Sequence, residues 1–164
     1  MNKYVILIGG NLGNRLSNLQ KARLLIEKMA GSIIEFSSIY ESKSWGFSCE
    51  NDFLNQVLVV ESNLIPIRAL KIFQQIEIQL GRLPHTNEEY LSRTMDIDIL
   101  FFNDSIVVTD YLIIPHPKIQ DRLFSLLPLN EIMSQFIHPQ LGLRISDILQ
   151  NCNDKTPTKL YENR

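Results

Sequence analysis

The chain has 164 residues, 45% of them hydrophobic and 21% charged, the proportions of a single globular domain with its own core. Its 16 basic and 18 acidic residues are interspersed and leave a formal net charge of −2, which argues against a general nucleic-acid binder, whose footprint is a basic excess. Residues 4–8 are apolar, but Gly9-Gly10-Asn11 follows at once, so neither a signal-peptide core nor a membrane span is expected. Cys49 and Cys152 fit no metal-binding spacing and are expected as free thiols of a cytoplasmic protein.

Residues 3–8 predict a buried strand that ends in Gly9-Gly10-Asn11-Leu12-Gly13-Asn14. Glycines after a strand invite comparison with nucleotide-binding turns, but neither the dinucleotide fingerprint nor the P-loop pattern is present. Gly9, Gly10 and Gly13 are therefore expected to permit a tight turn with positive φ. From 15 to 29, Leu16, Leu19, Ala22, Ile26 and Met29 recur at helical spacing, and Gly31 is a stop signal. Segment 32–42, with Ile33, Ile34, Phe36, Ile39 and Tyr40, predicts one long strand. In the loop over 43–52, Trp45 and Phe47 flank Gly46. Such aromatics either tether a loop to the core or offer flat rings to a ligand.

The next strand is expected over 53–62, with Leu54, Val57, Val59 and Val60 as its apolar residues. Asn55 sits among them, and a buried amide must find partners, so it either supports a turn or reads a polar ligand edge. Pro66 opens a helix reaching about Leu80, with Leu70, Phe73, Ile76 and Leu80 as its buried stripe. Glu77 borders that stripe, so its carboxylate is either half-exposed or aimed at a site. Residues 83–92 are polar, include Pro84, His85, Asn87, Glu88 and Glu89, and predict a mobile loop of the kind that forms lids.

Residues 95–102 are rich in branched and aromatic side chains and predict a strand. Asp96 and Asp98 then share one face with Cα atoms roughly 7 Å apart. Ile97, Ile99 and Phe101 take the other face, while Leu100 and Phe102 continue the aspartate face. Two like charges at the edge of a low-dielectric region repel unless a proton or a cation intervenes. Mg2+ suits such a pair, because it often takes one or two carboxylates and completes its shell with water and phosphates. A strand end with two solvated aspartates is the plain alternative.

Asn103-Asp104 predicts a turn, and 106–108 a short strand pairing back. Pro115-His116-Pro117, Arg122 and Phe124 follow, then a helix starting near Pro128 and ending about Phe136. His138-Pro139 and Gly142 form a turn, 145–150 a final helix. The domain is expected to span 1–152, with 153–164 a polar tail that frays. The order β-α-β-β-α-β, with extra C-terminal strands and helices, is that of an α+β ferredoxin-like sandwich: two helices on one face of an antiparallel sheet. That fold alone chooses no function.

Blocks of residues laid out in this order resemble the 6-hydroxymethyl-7,8-dihydropterin pyrophosphokinase family of folate biosynthesis. They are Ile8-Gly9-Gly10-Asn11-Leu12-Gly13; Tyr40 with Trp45-Gly46-Phe47; Asp52-Phe53-Leu54-Asn55; Gln74-x-Ile76-Glu77-x-x-Leu80-Gly81-Arg82; Arg93-x-x-Asp96-Ile97-Asp98-Ile99-Leu100; and Pro115-His116-Pro117 with Arg122, Phe124 and Pro128-Leu129. The resemblance implies that ATP and 6-hydroxymethyl-7,8-dihydropterin give AMP and the pterin diphosphate, the hydroxymethyl oxygen attacking the β-phosphorus. It implies Asp96 and Asp98 as ligands of two Mg2+ ions, with Arg82 and Arg93 as the other catalytic residues. Gln74, Glu77, His116 and Arg122 fall on the ATP side. Phe53 and Phe124 would sandwich the pterin, Asn55 would bond its amide-like edge, and Ser42 and Trp45 would complete that pocket. Tyr90-Leu91-Ser92 stands where many members have Trp-Gly-Pro, and no arginine lies between Arg82 and Arg93, so the expected lid departs from the family. The partners expected are these two small molecules, with no nucleic acid or membrane, and the chain is expected to act as a monomer.

Two other classes compete. A ferredoxin-like RNA-binding module shares the element order but needs exposed aromatics on its central strands and a basic surface. Here the corresponding strand carries Asp96 and Asp98, which repel a phosphate backbone. A glycosyltransferase using D-x-D to hold a sugar nucleotide would normally need a larger chain.

Overall fold

The computed structural model describes residues 1–83 and 92–162. The expected lid over 83–92 therefore lies, from 84 to 91, outside the described residues. Strand β1 (Asn2–Gly10) is the axis of the sheet: it pairs antiparallel with β4 (Phe53–Ser62) on one side and with β5 (Asp96–Phe102) on the other. With β2 (Ser32–Phe36), β3 (Tyr40–Ser42) and β8 (Thr158–Leu160), the strand order is β5-β1-β4-β3-β8, with β2 also on β4. Helices α1 (Arg15–Met29) and α2 (Pro66–Gln79) pack on one face, where Tyr4, Ile6 and Ile8 of β1 meet Leu58 and Val60 of β4. This is the ferredoxin-like sandwich, built as its hydrophobic periodicity requires.

The second face is also covered, which is why β1 is buried without interruption from Tyr4 to Gly10. Val5, Leu7, Val57 and Val59 pack there against Leu126 and Leu129 of α3 (Leu123–Met133) and Ile145 and Ile148 of α4 (Ile145–Gln150). That helical layer covers only the half of the face around Val5 and Val59. The half around Gly9, Asn55 and Asp98 stays open as a cavity.

Several local expectations change. The segment 32–42 is two strands, β2 (Ser32–Phe36) and β3 (Tyr40–Ser42), both on β4. At the break Ser37 Oγ accepts from Val57 N at 3.0 Å and Ser37 N donates to Val57 O at 2.9 Å. A hydroxyl has replaced a ladder carbonyl, so pairing survives while the chain kinks. In β5 the register slips: Ile6 faces Ile99 but Val5 faces Phe101. Leu100 is thus an extra residue in a bulge. Beyond it the alternation inverts, so Phe101 packs with Leu100 on the aspartate face and Phe102 on the other.

Helix α3 starts at Leu123, five residues before Pro128, which lies inside it. The pyrrolidine nitrogen cannot donate to the Phe124 carbonyl, a loss tolerated near the first turns. Strand β6 (Val107–Val108) pairs with β7 (Ile113–Ile114) in a separate hairpin instead of returning to β5. The segment expected to fray carries β8 (Thr158–Leu160), paired along β3. Cys49 and Cys152 are free thiols. No helix among the described residues is long and apolar enough to cross a membrane.

Gly13 has the expected positive φ of 66°. Gly9 and Gly10 instead belong to β1, and they are small because backbone passes beside them. A Cβ on Gly10 would lie 2.3 Å from the Thr94 carbonyl oxygen and 2.8 Å from its carbon. Gly10→Ala should therefore push back the entry of β5 and cost about 1–3 kcal/mol, read as a lower urea midpoint, whereas Gly46→Ala, whose Cβ would meet nothing within 4 Å but whose φ is 79°, should strain only its own loop, by about 1–2 kcal/mol, and leave the sheet intact.

Candidate active site

The cavity lies at the open end of the second face and is continuous with solvent. Its floor is sheet: Leu7 and Gly9 from β1, Phe53 and Asn55 from β4, Asp96 and Asp98 from β5. Phe53 and Asn55 alternate inward with Val57, so strand periodicity alone aims them here. The walls are Ser42 to Phe47 of the loop on one side and Arg122 and Phe124 at the start of α3 on the other. Asn55, 4% exposed, donates to Ser42 Oγ at 2.9 Å. A Cβ on Gly9 would lie 2.6 Å from Asn55 Oδ1, so that glycine makes room for the amide.

Aromatic contacts line the cavity. Phe47 meets Phe53 edge-on, with centroids 6.1 Å apart at 88°. The Arg122 guanidinium lies 4.8 Å from the Trp45 ring and 5.6 Å from that of Phe124, a cation between two π faces. Its buried Nε finds no acceptor among the described residues. Trp45 is thus a wall of the site, not a mere tether.

The charges are crowded. Asp96 is clamped by two arginines: Arg82 donates to Oδ1 at 3.0 Å and Arg93 to Oδ2 at 2.9 Å. Asp98 has Arg122 at 3.8 Å. Burial, then the neighbouring Asp96, push the Asp98 carboxyl upward against the pull of Arg122, Arg93 and Arg82. Glu77 is 4% exposed, not half-exposed as its spacing allowed. It pairs with Arg82 and accepts from Ile97 N at 2.7 Å. Burial and Asp96 raise its carboxyl too, opposed by Ile97 N–H and Arg82.

Asp96 and Asp98 do share one face of β5, as the alternation requires. Their donors are all oxygen, which fits a hard cation such as Mg2+. No cluster of three or more acidic, histidine or cysteine side chains suited to a metal stands among the described residues. Most of a magnesium shell would therefore fall to water and phosphate, the usual division for this ion.

All five residues expected around a ring substrate, Ser42, Trp45, Phe53, Asn55 and Phe124, line one cavity together with Arg93, Asp96, Asp98 and Arg122. Arg82, Gln74, Glu77 and His116 do not line it. Gln74 is exposed on α2. His116 Nδ1 accepts from Lys118 N at 3.1 Å.

The sequence reading missed Asn11 as an organiser. Its amide nitrogen reaches Cys49 Sγ at 3.4 Å, Asn51 O at 3.3 Å and Ser92 Oγ at 3.1 Å, and its Oδ1 accepts from Arg93 N at 2.8 Å. The signal was an asparagine directly after a strand ending in two glycines. A side chain 1% exposed there must spend its amide on the loops around it.

Two outcomes check this geometry. Glu77→Ala removes the acceptor of a buried N–H and should cost about 1–3 kcal/mol in urea unfolding. Burial, followed by the Arg122 charge, lowers the His116 pKa to about 4. Between its ordinary value and 4, the unfolded imidazole binds a proton that the folded one refuses, so the His116 contribution to stability falls as pH drops through that window, opposite in sign to those of the raised Glu77 and Asp98 carboxyls. His116→Asn should remove that loss, raising the melting temperature at about pH 5 more than at about pH 8 relative to wild type in metal-free melting curves.

The 7,8-dihydro-6-hydroxymethylpterin-pyrophosphokinase (HPPK) family profile matches residues 5–134. The chain is 39% identical over 131 residues to the 2-amino-4-hydroxy-6-hydroxymethyldihydropteridine pyrophosphokinase of Bacillus subtilis, covering 79% of this chain and 77% of that protein. It is 37% identical over 132 residues to the enzyme of the same name from Aquifex aeolicus, covering 80% and 81%. Among solved structures, the Plasmodium falciparum HPPK-DHPS wild type superposes with a TM-score of 0.73 at 20% identity. That superposition covers 92% of this chain but 43% of the larger one, so it speaks for the fold alone. The match of profile, close relatives and fold over the same residues that build the cavity makes this chain a member of the 7,8-dihydro-6-hydroxymethylpterin-pyrophosphokinase family of enzymes.

Proposed function

We propose that the chain transfers the pyrophosphoryl group of ATP to 6-hydroxymethyl-7,8-dihydropterin, releasing AMP. The observation that carries this reading is one cavity lined both by the aromatic residues Trp45, Phe47, Phe53 and Phe124 and by the Asp96–Asp98 pair. Phe53 and Phe124 grip the pterin ring by stacking. Asn55, already oriented by Ser42, bonds its amide-like edge. The hydroxymethyl group then points toward the aspartates, and its oxygen attacks the β-phosphorus of ATP while the bond to the AMP oxygen breaks.

Asp96 and Asp98 would hold Mg2+, two ions in this reading. Bound magnesium would neutralise the triphosphate oxygens and the charge that shifts among them. Arg82 and Arg93, now spent on Asp96, exchange that carboxylate for phosphate oxygens, to which a guanidinium offers a matching fork. The exchange frees Asp96 for the cation at the moment the nucleotide arrives. Glu77, held by Ile97 N–H and Arg82, sets the starting position of Arg82 from below. Gln74, His116 and Arg122 complete the nucleotide side. Catalysis of this kind is positioning and charge compensation, with little covalent work for the protein.

Incubation with ATP, Mg2+ and the hydroxymethyl-dihydropterin should release AMP in proportion to the pterin. Release of ADP, or nucleotide turnover indifferent to the pterin, would sink the assignment. Asp98→Asn should lower kcat by at least about 100-fold with a normal far-ultraviolet circular dichroism spectrum. A near-normal rate would remove the metal role from this pair.

A further inference from the structure

Helix α3 begins without a cap of its own. Its N-cap residue is Arg122, which makes no side-chain capping bond, and a guanidinium has no acceptor to offer the first N–H groups. The acceptor comes from 31 residues further along the chain: Leu123 N donates to Asp154 Oδ2 at 2.8 Å. Asp154 is itself held in place, its Oδ1 accepting from Thr156 N at 2.9 Å and Thr156 Oγ1 at 2.6 Å. Partial burial works to raise its carboxyl, yet these donors hold it below the usual carboxylate range. An anion here also suits the helix dipole. Leu123 stands between Arg122 and Phe124, the two residues of this wall that line the cavity.

The same arm grips the opposite wall. Lys43 N donates to Pro157 O at 3.0 Å, and Tyr161 N to Ile39 O at 2.9 Å. Strand β8 pairs Thr158 with Ser42 and Leu160 with Tyr40. Ser42 and Lys43 line the cavity, and Ser42 orients Asn55. One short segment thus ties to both walls of the cavity, within the five residues from Asp154 to Thr158. The family match ends at residue 134, so the arm lies outside it.

We propose that the C-terminal arm over 153–161 is a clamp that sets the spacing of the two walls of the ring pocket, with Asp154 as a positioning residue for the aromatic substrate. The proposal rests on the reading of the cavity as the pterin pocket. Stacking depends steeply on the separation of the faces, so a helix start that loses its cap relaxes Phe124 and weakens the ring's grip. The nucleotide shares Arg122 with this helix start but is held chiefly by Arg82, Arg93 and the aspartate pair, which lie outside it, and so feels this less.

Hydrogen exchange in the free protein tests the clamp, and calorimetry tests its purpose. In Asp154→Ala, the Leu123 and Lys43 amides should exchange at least about tenfold faster while β1 amides keep their rates. Asp154→Asn, which keeps an acceptor, should restore most of the protection at Leu123. With a non-hydrolysable ATP analogue and Mg2+ present, Asp154→Ala should weaken pterin binding about tenfold and analogue binding less than about threefold, with Asp154→Asn between it and wild type. Unchanged exchange at both amides overturns the clamp. Unchanged pterin affinity, or an equal loss for both ligands, overturns the positioning role. A wild-type chain that binds no pterin overturns the assignment of the pocket instead, and the exchange rates still decide the clamp.

Discussion

The structure turns on a crowding of charge at one end of a sheet. Glu77, Asp96 and Asp98 converge there with Arg82, Arg93 and Arg122. Buried carboxylates are tolerated only when paired and hydrogen-bonded. Each element around the site contributes to that pairing: α2 brings Glu77 under the backbone of Ile97, and the start of α3 brings Arg122 beside Asp98. Asp98 remains pushed up by burial and by Asp96 even so. A site in that condition gains from an arriving cation, and the arginines gain from an arriving anion. The magnesium and triphosphate of the proposed reaction would together satisfy both.

The rest of the fold makes that end available. Helices α3 and α4 bury Val5, Leu7, Val57 and Val59 on the second face, then stop. The open half is polar where the strands carry Asn55, Asp96 and Asp98, and aromatic where the loop and α3 lean in. A ring and a chain of phosphates need these two environments side by side. Asn11 and Asp154 hold the surrounding loops from opposite directions, the first tying the 49–52 turn to Ser92 and Arg93, the second tying α3 to the arm that carries β8.

The family relationship and the geometry support each other at different levels. The profile covers the stretch from β1 through α3, and the bacterial relatives each align over about four-fifths of the chain. The cavity assembles residues drawn from that whole stretch, from Leu7 to Phe124. A shared ferredoxin-like sandwich would not distinguish this protein from a nucleic-acid-binding module. The family profile and the bacterial relatives do, and the acidic pair on β5 would repel a bare phosphate backbone.

By itself the sequence determined what is local and periodic. Helices α1 and α2 and strands β4 and β5 follow from hydrophobic spacing, and strand alternation placed Asp96 beside Asp98 on one face. The set Ser42, Trp45, Phe53, Asn55 and Phe124 came from the family resemblance, and the fold brings those residues to one cavity. Tertiary structure decided whatever depends on a partner distant in the chain. The bulge at Leu100 turned Phe101 to the aspartate side because the register of β1 demanded it. Gly9 and Gly10 proved to serve close approach to Asn55 and Thr94, not a turn. Glu77 went inside because Ile97 N–H and Arg82 awaited it. The C-terminal segment, polar and so expected to fray, became ordered because the edge of β3 and the uncapped start of α3 both lacked hydrogen-bond partners that it could supply. Polarity alone could not reveal this, since an unmet donor elsewhere in the fold is invisible in the residues that come to satisfy it.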